Sequence, residues 1–145
     1  YAGTQTIWTD SVSPGNYRLR ETTTGGGVET YDMNKGTNYG SAVDFTDTDN
    51  YWDTTNTNQD EAATDAHFGA EITYQYFFQK FGRLSYNNLD GKLKSYVHYD
   101  NAYDNAFWDG YQMTYGDGNG TPTSAFTSLD VTGHEISHGV EEYSC

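Results

Sequence analysis

Two histidines that flank a glutamate near residue 135 constrain the fold of this chain more than any other feature. His134 and His138 can converge on one ion only if this stretch is an α-helix, where residues four apart lie one turn above each other. Glu135 is then offset around the helix, so its carboxylate can reach a water molecule on the ion instead of the ion itself. The spacing predicts a zinc-binding helix and metal-assisted hydrolysis, with Glu135 as the general base.

The same three residues could also lie on an ordinary solvated helix, where they would make only weak local pairs. The flanking residues favour the metal site. Apolar positions recur around the motif at Val131, Ile136 and Val140. Gly133 and Gly139 give an exposed helix no advantage, because glycine is a poor helix former. We interpret both as places where another backbone or a bound ligand comes close.

A catalytic zinc takes three protein ligands and leaves one position for water, and the motif supplies only two. The other histidines, His67 and His98, lie in separate segments. We interpret both as hydrogen-bonded structural groups, which is the usual role of a histidine on the inner face of a helix or on an aromatic strand. The chain ends at Cys145, soon after His138. We therefore expect the third ligand to lie outside this chain.

Acidic residues dominate the charge, since 21 Asp and Glu against 7 Lys and Arg give a formal net charge of -14. Nucleic acid and anionic membrane surfaces would repel such a protein, whereas cations are natural partners. Carboxylates alternate with Asn and Thr over residues 44–53, an oxygen-rich composition that Ca²⁺ prefers. No stretch approaches the roughly 20 apolar residues of a membrane span. We expect neither a nucleic-acid partner nor a membrane partner.

The length of 145 residues fits a single domain, residues 1–145. Cys145 is the only cysteine, so the chain cannot form an intrachain disulfide. The abundance of Tyr, Gly, Thr and Asn with little Lys suits an extracellular protein.

Hydrophobic periodicity divides the chain into a β-rich part and two helices. Alternating residues bounded by glycine and asparagine turns predict antiparallel strands within residues 1–60, for example at 17–20 and 28–31. Residues 60–81 begin with acids, end with Lys80 and Gly82, and place apolar residues at helical intervals, which predicts a long helix. Further strands are predicted at 93–99 and 112–115, and the motif helix at 129–144 with Thr127 or Ser128 as N-cap. The fold class is α+β.

Seven ordered blocks of the sequence resemble the thermolysin-like neutral zinc metalloendopeptidases. The blocks are DTDN at 47–50, DAHF at 65–68, RLSY at 83–86, VHY at 97–99, NAFW at 105–108, QMTYGDG at 112–118 and DVTGHEISH at 130–138. The resemblance implies the N-terminal, β-rich domain of the mature catalytic unit, without the C-terminal helical domain. It also implies that His134 and His138 bind zinc and that Glu135 polarises the attacking water.

The resemblance implies a substrate-binding strand at residues 105–108. An Asn105 amide and main-chain groups of Ala106 would hold the substrate backbone, as in β-augmentation, where an edge strand offers unpaired N–H and C=O groups. Phe107 and Trp108 are candidates for the same role. Both could equally be core aromatics, because burial is the usual use of large rings.

Calcium ligands are also implied by the resemblance. Asp47 and Asp49 match a calcium loop in which Tyr51 gives a main-chain carbonyl, although such a run is also an ordinary solvated turn. Asp130 matches a ligand of another calcium site, whose partner carboxylates would lie beyond Cys145.

The resemblance further implies a secreted protease that cleaves internal peptide bonds of proteins. The family's third zinc ligand, a glutamate on a later helix, and the Tyr and His that stabilise the oxyanion would follow Cys145. The partners are therefore a peptide or protein substrate and the missing C-terminal half, and we expect this chain alone to be inactive or nearly so. Two alternatives are a non-catalytic calcium- or carbohydrate-binding module on the same scaffold, and one piece of a nicked protease.

Overall fold

A computed structural model describes residues 3–53, 61–119 and 125–144 of the chain. Cys145 lies outside the described residues. In chain order, the elements are β1 (Asp10–Ser13), β2 (Asn16–Arg18), β3 (Arg20–Glu21), β4 (Val28–Asp32), a 3-10 turn (Tyr39–Ser41), β5 (Val43–Asp44), β6 (Thr46–Asp47), α1 (Glu61–Phe81), β7 (Leu93–Val97), β8 (Ala106–Trp108), β9 (Met113–Tyr115) and α2 (Leu129–Glu142). The predicted α+β class is confirmed.

The strands form two sheets, of which the smaller is antiparallel and the larger is mixed. The smaller sheet has the order β1-β2-β6, and the larger has the order β3-β4-β7-β9-β8 with β5 also paired to β4. Most neighbouring strands are antiparallel, as predicted, but β4 with β7 and β7 with β9 are parallel. Parallel neighbours require a long crossover connection, and α1 lies in the connection between β4 and β7.

Helix α1 runs from Glu61 to Phe81, in agreement with the predicted helix, whose first residue lies outside the described part of the chain. Its buried face is built largely from small residues, namely Ala62, Ala63, Ala66, Gly69 and Ala70. Small side chains let the helix approach the sheet closely. Gly82 ends the helix in the left-handed region at φ 64, and its N–H donates to the Phe78 carbonyl.

Helix α2 runs from Leu129 to Glu142, two residues shorter at its C-terminus than predicted. Ser128 is the N-cap, but its hydroxyl donates to the Asp130 carboxylate at 2.5 Å and not to a helix amide. The helix packs against α1, β8 and β9. Neither α1 nor α2 is long and apolar enough to cross a membrane, as far as the described residues extend.

The hydrophobic core lies between the larger sheet and the two helices. Its fully buried members include Val28 of β4, Leu93 of β7, Met113 of β9 and Ile136 of α2. Ile136 directly follows Glu135, so the residue next to the proposed general base anchors α2 in the core. The sheet and α1 thereby form a rigid support for the motif helix.

Candidate active site

The two motif histidines converge at the surface of α2. The Nε2 atoms of His134 and His138 lie 3.0 Å apart, and the two rings meet edge to face with centroids separated by 4.5 Å. Both side chains are exposed to solvent. This is the arrangement that the four-residue spacing on a helix predicts.

The position of the two nitrogens fits a zinc ion. Two ligands about 2.0–2.1 Å from a tetrahedral zinc are about 3.3 Å apart, so the two Nε2 atoms are already close to the separation that shared coordination requires. Among the described residues, no group of three or more His, Cys, Asp or Glu side chains is placed to hold a metal ion. The described part of the chain therefore brings together two side chains that could share one metal ion, one fewer than the three protein ligands of a catalytic zinc site.

Glu135 faces a cavity next to these histidines. The cavity has a volume of about 300 Å³ and is lined by Asn105, Ala106, Phe126, Asp130, Val131, His134 and Glu135. Glu135 is only 7% exposed, and none of the described residues hydrogen-bonds to its carboxylate. A buried carboxylate that borders a cavity and is free of partners can accept a proton from a bound water.

The predicted substrate strand is the edge of the larger sheet. Among the described residues, strand β8 pairs only with β9, and the Asn105 carbonyl accepts a hydrogen bond from the Gly116 amide on the β9 side. Main-chain groups of successive strand residues point to opposite sides, so those of Ala106 point away from β9. The N–H and C=O groups of Ala106 therefore lie on the open edge of β8, where an extended peptide could pair with them.

Asn105 and Ala106 line the same cavity as Glu135, whereas Phe107 and Trp108 do not. Phe107 packs edge to face against Tyr99, with ring centroids 5.8 Å apart. Trp108 packs against Tyr86, with centroids 4.8 Å apart, and its indole Nε1 donates to Glu142 at 3.2 Å. Phe107 and Trp108 therefore pack against other side chains of the protein in this structure, which is the alternative role that their size suggested.

The two glycines beside the motif differ in their surroundings. A Cβ on Gly139 would come within 2.8 Å of the Trp108 ring, so glycine is required there by the close approach of a side chain, and not of the backbone or ligand that we expected. A Cβ on Gly133 would lie 3.7 Å from the Thr73 hydroxyl, which is ordinary contact. None of the described residues therefore approaches Gly133 closely, and approach of a bound ligand at this position stays a prediction.

The predicted calcium loop is held by its own hydrogen bonds. Asp47 is buried, and its carboxylate accepts from the amides of Asp49 and Tyr51 at 3.3 Å and 3.1 Å. Asp49 accepts from the Tyr51 amide at 2.9 Å. These bonds give the loop the compact form of a turn, and the Ca²⁺ role of the three residues stays a prediction.

Asp130 lies one turn before His134 on α2 and borders the cavity. The hydrogen bond from the Ser128 hydroxyl lowers the pKa of this carboxyl below its usual value. Asp130 therefore stays ionised in mildly acidic solution at the cavity edge. Its predicted role as a Ca²⁺ ligand stays a prediction.

His67 and His98 make the structural contacts that the sequence predicted. His67 is fully buried, with Nδ1 2.9 Å from the Thr30 hydroxyl and Nε2 2.8 Å from the Trp8 carbonyl. His98 Nδ1 lies 2.7 Å from the Asp117 carboxylate. Each ring links chain segments that lie outside α2.

Phe126, which lines the cavity together with Val131, was not predicted from the sequence. Both residues flank the start of α2, and both also pack against the hydrophobic core. The only sequence signal was an aromatic residue directly before the motif helix, in a segment that gave no periodic pattern.

Comparison with known proteins gives a consistent result along the chain. A family model described as the thermolysin metallopeptidase catalytic domain matches residues 1–142. Bacillolysin from Brevibacillus brevis is 45% identical over 127 residues, covering 87% of this chain and 23% of that protein. Thermolysin from Bacillus sp. (strain EA1) is 40% identical over 131 residues, covering 90% of this chain and 23% of that protein.

Another relative and a solved structure agree. The transglutaminase-activating metalloprotease of Streptomyces mobaraensis is 44% identical over 131 residues, covering 88% of this chain and 17% of that protein. The structure of the precursor of protealysin, a metalloproteinase from Serratia proteamaculans, is similar with a TM-score of 0.65 and 35% identity, covering 80% of this chain and 34% of that chain. The chain spans less than a quarter of the length of the curated relatives named here. Because the family match extends over almost every residue, this chain belongs to the thermolysin metallopeptidase family.

Proposed function

We propose that this chain provides the N-terminal part of the catalytic unit of a secreted zinc metalloendopeptidase that hydrolyses internal peptide bonds of proteins. The observation that carries the proposal is the convergence of His134 and His138 beside the cavity that Glu135 shares with Asn105 and Ala106. A metal site, a base and an open strand edge then lie together, as peptide hydrolysis requires.

Each residue has a role in the reaction. His134 and His138 would hold zinc, which when bound polarises the substrate carbonyl and a water molecule. Glu135 accepts a proton from that water and delivers it to the leaving amine. Asn105 and Ala106 hold the substrate as an added strand on β8, so that the scissile bond lies over α2.

We propose that the third zinc ligand and the groups that stabilise the oxyanion come from polypeptide outside the described residues. With two neutral imidazoles alone, zinc would be held weakly and be poorly oriented. Loss of oxyanion donors alone typically lowers the rate by about 10²–10³-fold. The chain by itself is therefore expected to be inactive or nearly so, and the C-terminal half of the protease is its required partner.

Calcium is proposed as a second metal of the whole protease. Asp47, Asp49 and Tyr51 would contribute one site, and Asp130 would contribute to another together with carboxylates from elsewhere. The net charge of -14 favours cation binding at both places. Calcium titration of the chain and of an Asp47→Asn/Asp49→Asn variant, followed by unfolding, tests the first site. Equal stabilisation of both proteins by Ca²⁺ would refute it.

Zinc binding to the chain itself tests the metal site. Calorimetric titration should show one weak zinc site that is lost in His134→Ala and in His138→Ala. It should be retained in Glu135→Gln and in Ser137→Ala, the latter an exposed neighbour on the same helix. Unchanged binding in both histidine variants would refute the site.

Hydrolysis is tested in a chimera in which this chain replaces the matching part of Brevibacillus brevis bacillolysin. We expect cleavage of an internally quenched peptide that a chelator abolishes, and that Glu135→Gln abolishes while zinc stays bound. The isolated chain should show no cleavage. Undiminished activity in the Glu135→Gln chimera would contradict the proposed base, and a non-catalytic binding module would then be the better description.

A further inference from the structure

A group of buried hydroxyls lies beneath α2, outside the cavity described above. Tyr115 and Ser95 have no measurable exposure. Neither hydroxyl has a hydrogen-bond partner among the described residues. Thr132 of α2, also fully buried, is the third member of this hydroxyl group, and its hydroxyl donates to the Thr127 carbonyl at 3.5 Å.

The topology brings the hydroxyl group close to the general base. Tyr115 ends β9 and is paired with Ala106 of the substrate strand, so its ring enters the core next to that edge. Thr132 precedes Glu135 by almost one turn on the same helix, and both are buried. Residues three apart lie on one face of a helix, so Thr132 and Glu135 both face the sheet on which Tyr115 lies.

The pKa of the Tyr115 phenol depends on the same neighbours. Burial raises the pKa of Tyr115, the hydroxyls of Thr132 and Ser95 act in the opposite direction, and the charge of Glu135 raises it further. The two hydroxyls therefore lie near the phenol oxygen, although outside direct hydrogen-bond geometry. The carboxylate of Glu135 is close enough for its charge to act on the same oxygen.

Buried hydroxyls without partners are unfavourable, and buried polar atoms in proteins are nearly always hydrogen-bonded. A buried water needs two to four polar partners. A water lying between Tyr115, Ser95, Thr132 as an acceptor and the inner side of the Glu135 carboxylate would have that number of partners. A phenylalanine would fill the same volume as Tyr115 without an unpaired hydroxyl.

We infer that Tyr115 is a positioning residue for Glu135: with Ser95 and Thr132, its hydroxyl binds one buried water that hydrogen-bonds to the Glu135 carboxylate from the interior. The other side of the carboxylate stays free to face the cavity. The inference rests on the proposed role of Glu135 as general base. The buried water would hold the Glu135 carboxylate in one orientation.

Unfolding of the chain in urea tests the hydroxyl group without any need for activity. If the water bridge exists, Tyr115→Phe and Ser95→Ala each lower the unfolding midpoint, and the double variant loses less than the sum of the two because both remove the same bridge. Tyr96→Phe, on the neighbouring strand β7, is the control for removal of a hydroxyl from a tyrosine of the same sheet. A higher midpoint in Tyr115→Phe would show an unpaired hydroxyl and overturn the inference.

Kinetics of the chimera test the positioning role. Tyr115→Phe should lower kcat by about 10- to 100-fold, the usual effect of removing a group that orients a catalytic residue, with KM and zinc content unchanged. A purely structural role would lower the folded fraction but leave kcat per zinc-loaded molecule the same, and that result would overturn the inference. Undiminished activity in Glu135→Gln would instead show that the proposed function has failed.

Discussion

Gly69 of α1 lies so close to Thr132 of α2 that a Cβ atom on Gly69 would come within 2.9 Å of the Thr132 Cβ. This contact sets the spacing between the two helices at the level of the zinc motif. Because Thr132 precedes Glu135 on α2, the contact also fixes how the base is presented to the cavity.

Substitution of Gly69 by alanine should therefore destabilise the chain by about 1–3 kcal/mol, since the added methyl overpacks the helix contact. Gly133→Ala is the matched control, because its Cβ would have room. Alanine is the better helix former there and should stabilise the chain by about 0.5–1 kcal/mol. Urea unfolding of the two variants measures both effects, and the same sign for both would contradict the packing argument.

Gly139→Ala is predicted to disturb the contact between α2 and β8. The added methyl would meet the Trp108 ring at 2.8 Å, at a cost of about 1–3 kcal/mol. The loss should be much smaller in a Trp108→Phe background, because the smaller ring leaves space. A double-mutant cycle by urea unfolding measures this coupling. Additive effects of the two substitutions would show that the ring and the glycine do not depend on each other.

Glu71 of α1 is predicted to hold the N-terminal segment in place. Its carboxylate accepts from the Trp8 amide at 2.9 Å, and His67 contacts the Trp8 carbonyl at 2.8 Å, so two side chains one turn apart hold both main-chain polar groups of one residue. Glu71→Ala would leave the amide unpaired, at a cost of about 1–3 kcal/mol.

The Glu71→Ala substitution should also speed hydrogen exchange at the Trp8 amide, which is measured by NMR. Gln75→Ala, an exposed position on the same helix, is the control and should change neither stability nor exchange. Equal protection of the Trp8 amide in both variants would count against this anchoring role.

Glu29 is predicted to make stability depend on acidity. Burial acts to raise its pKa, but hydrogen bonds from Lys92 and Tyr31, both at 2.6 Å, and the nearby charges of Lys92 and Arg20 lower it below the ordinary value of 4.5 overall. A carboxylate with a lowered folded pKa stabilises the fold above its ordinary pKa, and this contribution is lost as pH falls through the folded value.

The unfolding midpoint should therefore decrease between about pH 5 and pH 3, and it should decrease less in Glu29→Gln. Glu61→Gln, at an exposed position of α1, should retain the wild-type dependence. The same pH dependence in Glu29→Gln and in the wild type would show that Glu29 does not contribute.

The sequence predicted the local elements better than the contacts between them. The helices were predicted within two residues because their apolar periodicity and end signals are local properties. The motif was recognisable because two side chains four residues apart lie on the same face of a helix. The parallel pairing of β4 with β7 depends on partners about 65 positions apart in the chain, from Val28 to Leu93, and no local pattern encodes it.

Other features of the site could not be predicted from the sequence, for a related reason. Tyr115 and Ser95 are ordinary alternating strand residues, and only the assembled sheet places both beneath α2. Gly69 belonged to a predicted helix in which glycine carries no distinctive signal. Its close contact with Thr132 depends on how two helices distant in sequence cross.

The packing of Trp108 on Gly139 has a mechanical consequence for peptide binding. One face of the indole lies on the zinc helix, and the backbone of the same residue belongs to the edge strand. The thickness of the Trp108 ring therefore sets the distance between α2 and the edge strand β8. Because one side chain contacts α2 and its own backbone belongs to β8, we expect the two elements to move as one body.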